Sequence, residues 1–127
     1  NGSIASVISQ RNGTDSITSL AKEGLGTWTL SGNNIYTGST TINAGTLLVN
    51  GSIGGSGVTV NSGGTLGGSG TVATSVTVNS GATLSPGNSP GLLTQGATTL
   101  SGGGNYNWQV VNATGAAGTG FDTINLT

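Results

Sequence analysis

The side chains that could do chemistry are few: the carboxylates of Asp15, Glu23 and Asp122, the cations of Arg11 and Lys22, and neither a histidine nor a cysteine. Glycoside hydrolysis in its common form needs two carboxylates facing one bond. Glu23 and Asp122 stand too far apart in a regular repeat to make such a pair. Acid–base catalysis depends on groups this chain lacks, so it is read as not an enzyme. Calcium would want several carboxylates, and a thiolate metal site would want cysteine, so no metal or cofactor is expected. "GGTLGGSG" from Gly63 has the glycines of a phosphate loop but no following Lys-Ser/Thr pair or helix, and stacked corner glycines explain it. Sequons stand at Asn12, Asn50 and Asn112, as they do by chance in a chain rich in Asn, Gly and Ser. Two basic residues leave no electrostatic footprint for nucleic acid. No apolar run approaches the roughly 20 residues of a spanning helix, so no membrane insertion of this segment is expected.

What could position so few groups is read from composition and repetition. The 127 residues include 26 glycines and are 4% charged and 32% hydrophobic, with a formal net charge of −1. Disordered chains combine low hydrophobicity with high net charge, and here the apolar residues come instead in short Leu, Val and Ile bursts that suit strands. "VTVNSGGTLGGSG" at Val58–Gly70 recurs 18 residues later as "VTVNSGATLSPGN" at Val76–Asn88. An earlier copy, "TTINAGTLLVNG", sets Ile42, Asn43, Gly45, Thr46 and Leu47 where Val60, Asn61, Gly63, Thr65 and Leu66 stand later, with a one-residue gap in the turn. Looser copies follow at Leu92–Gly104 and precede at Gly26–Asn34.

Each unit reads as strand, corner, strand. Alternation sends Val58, Val60, Val76 and Val78 inward and Thr59 and Thr77 outward. Asn61, Asn79, Gly63 and Gly81 supply corners, and Leu66 and Leu84 resume the core side. The period is too short for a propeller blade and the strands too short for a sandwich, which leaves a β-solenoid with coils of about 18 to 20 residues. In that fold equivalent residues lie about 4.8 Å apart, so like charges would stack on one another, whereas Asn, Ser and Thr can hydrogen-bond along the stack. An outward Thr59/Thr77 column raises ice binding, but no second aligned column is expected beside it. The aromatics Trp28, Tyr36, Tyr106, Trp108 and Phe121 are expected over coil edges or wider loops, with a surface binding patch at Trp28, Tyr36, Tyr106 and Trp108 as the other reading.

At "LAKEGLGTWTLSGNNIYTGSTTINAGTLLVNGS", Leu20–Ser52, the sequence resembles the passenger-associated, or autotransporter-associated, β-strand repeat of bacterial surface proteins. Its pattern falls on Leu20, Lys22, Gly24, Gly26, Thr27, Leu30, Gly32, Asn34, Tyr36, Gly38, Thr40, Gly45, Thr46 and Leu47. "SPGNSPGLLTQG" at Ser85–Gly96 and "GTGFDTINLT" near the end also look like this family. The resemblance implies an all-β, right-handed parallel β-helix, extracellular or on the bacterial cell surface. The chain is read as one solenoid segment: 1–19 a first coil, 20–54 the best family match, 55–88 the clearest repeat pair, and 89–127 looser terminal coils. Neither a signal peptide nor a translocating barrel is seen, so the segment is expected to be a fragment of, or a subunit in, a longer assembly. A structural rod or fibre-forming spacer is the expected function, by end-to-end self-association or continuation within a longer solenoid. An adhesin recognising glycans or host surfaces is the alternative.

Overall fold

A computed structural model describes residues 2–4, 18–87, 91–109, 114, 116 and 123–126, and none of these is helical. The first strands are β1 (Gly2–Ile4), β2 (Leu20–Lys22) and β3 (Thr27–Leu30). One coil follows as β4 (Thr40–Ile42), β5 (Gly45–Val49) and β6 (Ser52–Ile53), and the next as β7 (Val58–Val60), β8 (Gly64–Gly68) and β9 (Thr71–Val72). Then come β10 (Val76–Val78), β11 (Thr83–Pro86) and β12 (Leu92–Gln95), and last β13 (Thr98–Leu100), β14 (Asn105–Tyr106) and β15 (Thr123–Leu126).

No strand pairs with its neighbour in sequence. The order is β1-β3-β5-β8-β11-β14 in one sheet, β13-β10-β7-β4-β2 in a second and β15-β12-β9-β6 in a third. All of these strand pairings are parallel. The chain is therefore a three-sided parallel β-solenoid. Among the described residues it makes about four coils, preceded by β1, β2 and β3. Because β-residues alternate, a three-residue strand can bury two side chains and expose one, and Val58, Val60, Val76 and Val78 are buried while Thr59 and Thr77 are not.

Stacking is in register, so the core consists of columns. Ile42, Val60 and Val78 lie over one another on one sheet, and Leu47, Leu66 and Leu84 on another. The third sheet adds Ile53 and Val72, with Gln95 after them. All nine are fully buried. Burying an aliphatic side chain of this size contributes roughly 1.5–3 kcal/mol, so each coil brings its own share of stability.

The corner after the first strand of each coil shows how the one-residue gap is absorbed. Gly45, Gly63 and Gly81 share a left-handed conformation, with φ of 67°, 83° and 76°. The ladder nevertheless sets Gly45 opposite Gly64, not Gly63. The gap thus falls before the strand resumes, and Thr46 meets Thr65 in register. The last coil is looser for a similar reason. "VTV" at Val76 is stacked by "TTL" at Thr98, while "LLTQ" at Leu92 belongs to the third sheet.

Thr41, Thr59, Thr77 and Thr99 form one outward column. A second threonine column, which the sequence was not expected to supply, runs through Thr27, Thr46, Thr65 and Thr83. It lies on a different sheet, beyond the Asn corner, so each of the two sheets shows one column.

Candidate functional site

The polar groups concentrate where the repeat begins, at the corner joining β2 to β3. Leu20-Ala21-Lys22 alternates half-buried, exposed, buried, which turns Lys22 inward. Lys22 heads the column of Ile42, Val60 and Val78, and it is completely buried. The expectation that charge is excluded from the stack is corrected here: one cation is admitted, at a position with a single neighbour in its column among the described residues. Its Nζ donates to the carbonyl oxygens of Glu23 at 2.8 Å, Gly24 at 2.6 Å and Ala44 at 3.1 Å. The Trp28 ring centroid lies 5.6 Å away. These partners supply what an ammonium loses on leaving water.

Glu23 does something different on the outer side of the same corner. Asn79 Nδ2 donates to Asn61 Oδ1 at 2.9 Å, Asn61 Nδ2 to Asn43 Oδ1 at 2.7 Å, and Asn43 Nδ2 to Glu23 Oε1 at 2.5 Å. The amides therefore all point one way, and a carboxylate receives the last. This ladder uses the one described acid for hydrogen bonding along the stack. Asp15 and Asp122, the other two candidate acids, lie outside the described residues, as do Arg11, Asn12, Asn112 and Phe121. Among the described residues, no group of three or more His, Cys, Asp or Glu could hold a metal ion. No helix among them is long and apolar enough to cross a membrane.

The four aromatics proposed for binding separate into two pairs. Tyr36 is 1% exposed and cannot be a surface contact. It fills the bend between β3 and β4, where its hydroxyl bonds Thr40 Oγ1 at 2.5 Å. Burial raises its pKa above the ordinary 10.0, and the Thr40 bond opposes that rise. Trp28 is half-buried and packs against the core above Leu47. Tyr106 and Trp108 are exposed, at 41% and 58%. Tyr106 stacks on Leu84, so its exposure is that of the last coil's inward side rather than of an outer wall.

The same holds for two other described residues at this end of the stack. Leu100 and Leu126 continue the columns of Val78 and Gln95, yet they are 49% and 62% exposed where those residues are fully buried. The residues chosen as the repeat signature, Ile42, Asn43, Gly45, Leu47, Val58, Val60, Asn61, Gly63, Leu66, Val76, Val78, Asn79, Gly81 and Leu84, all fall in columns or corners. Lys22 and Asn34 were not recognised as functional positions. Asn34 is buried and bonds the Gly32 and Ser52 carbonyls at 2.9 and 3.0 Å, fastening the bend to the next coil. The period-two placement of Lys22 between Leu20 and the corner was the available signal.

A three-sided parallel solenoid whose strands stack coil on coil in register is a repeat architecture. Residues 20–49 match the family model described as passenger-associated-transport-repeat, so the chain carries this repeat over that span. Comparison with curated proteins and with solved structures yields no match. The matched span contains the Lys22 corner, the Tyr36 bend and the first complete stacking strand pair.

Proposed function

We propose that the chain is a rigid spacer segment of a passenger displayed on the bacterial cell surface, in which length is the functional quantity. The observation that carries this reading is the in-register stacking of three parallel sheets, with aliphatic columns inside and an amide ladder at one corner. A coil adds about 4.8 Å along the axis, so four coils span about 20 Å. Its C-terminal face, with Leu100, Tyr106 and Leu126 at the ends of their columns, suits the seat of another coil, whether from the same chain or from a second copy stacked end to end. The passenger-associated repeat supports the extracellular setting.

Duplicating the Val58–Ser75 coil tests the reading. Small-angle X-ray scattering should show a particle about 4.8 Å longer with an unchanged cross-section. A wider cross-section, or no change in length, would count against a spacer.

The exposure of Trp108 and Tyr106 favours one alternative, an adhesin that stacks sugar rings on these side chains. Trp108→Ala and Tyr106→Ala decide between them. An adhesin loses glycan or matrix binding in these variants at unchanged β-rich circular dichroism. A spacer keeps its length and shows no such binding to lose.

A further inference from the structure

We propose that the first corner of the solenoid is a binding site for a primary ammonium group, occupied in the native chain by its own Lys22. Three acceptors converge on one point: the Glu23, Gly24 and Ala44 carbonyl oxygens, at 2.8, 2.6 and 3.1 Å from Nζ. Three N–H donors on an ammonium match three carbonyls, and no donor is left over. The Trp28 face at 5.6 Å completes the enclosure on a side where no further acceptor is needed. The Lys22 side chain itself is sealed from solvent.

The ligand class follows from those contacts. A guanidinium is flat and presents five donors in a fork, which three converging carbonyls do not match. A quaternary ammonium keeps the attraction to the ring but has no N–H to give. An apolar side chain of the same length fits the column above Ile42 but leaves the three partly buried carbonyl bonds without their donor. Because two acceptors belong to the corner itself and the third to the coil below, the cation also fastens one coil to the next.

Chemical rescue tests the site. Lys22→Ala removes the stem and head group, which n-propylammonium replaces atom for atom. The thermal midpoint of Lys22→Ala should lie several degrees below that of the unaltered chain. It should rise with n-propylammonium concentration as for a ligand of the folded state, more than in equimolar sodium or tetramethylammonium chloride. The Trp28 indole resonance should shift in parallel, and the unaltered chain should respond to the three salts alike. Equal action of the three salts on Lys22→Ala overturns the proposal. Where Lys22→Ala does not fold, Lys22→Met decides: a midpoint several degrees below the unaltered chain sustains the site, and an equal or higher one overturns it.

Discussion

Asn61 sits in the middle of the amide ladder, and its removal gives the most informative perturbation. Asn61→Ala deletes the donor to Asn43 Oδ1 at 2.7 Å and the acceptor of Asn79 Nδ2 at 2.9 Å. Both bonds are partly buried, so the stranded groups recover some hydration, and about 1 kcal/mol for each bond is the appropriate scale. The variant should therefore lose about 2 kcal/mol. With a urea slope of about 2 kcal/mol/M, that moves the unfolding midpoint down by about 1 M. Asn79→Ala removes the Asn79–Asn61 bond alone and should cost about half as much. Asn61→Asp still accepts from Asn79 but cannot donate to Asn43, so it should resemble the loss of one bond together with two facing acceptors. Equilibrium urea unfolding followed by circular dichroism reads all three variants. An Asn61→Ala cost under about 0.5 kcal/mol, or equal costs for Asn61→Ala and Asn79→Ala, would refute the ladder as a stabilising device.

Two further outcomes follow from the same geometry. Gly68 has φ of 106°, and a Cβ there would lie 2.2 Å from the Val49 carbonyl oxygen, whereas a Cβ on Gly54 meets nothing within 4 Å. Gly68→Ala should cost several kcal/mol and Gly54→Ala about zero, or a gain of up to about 1 kcal/mol, by thermal or urea unfolding. Tyr36 has its pKa raised by burial above the 10.0 of a free tyrosine, so the unfolded chain ionises first. Stability from this group is complete below pH 10 and should fall as pH rises from there through the raised value; Tyr36→Phe should remove that dependence.

The columns were legible because strand alternation and repetition spoke together. "VTVNSG" at Val58 and again at Val76 sets in, out and corner before any pairing is known, and the observed partners are Val58 with Val76 and Val60 with Val78. Single residues at the margins of the repeat were harder. Gly45 could be matched by conformation to Gly63 or by register to Gly64, and only the ladder separates the two. Tyr36 could be read as packing over a coil edge or wider loop or as part of a surface patch, because nothing in its polar neighbourhood announces a buried bend closed by Thr40. The role of Lys22 was not legible because its ligands are backbone carbonyls, which carry no sequence signature. Exposure at Leu100, Tyr106 and Leu126 likewise depends on their place in the last coil, which residue type does not report.

The central claim, that each coil stacks in register on the next, is open to direct cross-linking in a chain without cysteine of its own. Thr59 and Thr77 are aligned partners on adjacent parallel strands, while Thr41 and Thr77 are separated by the Thr59 strand. Adjacent strands bring Cα atoms about 4.8 Å apart, within disulfide reach, and alternate strands leave them about 9.6 Å apart, beyond it. Under mild oxidation, Thr59→Cys/Thr77→Cys should cross-link within one chain and Thr41→Cys/Thr77→Cys should not. Cross-linking of the second pair in preference to the first would contradict the solenoid.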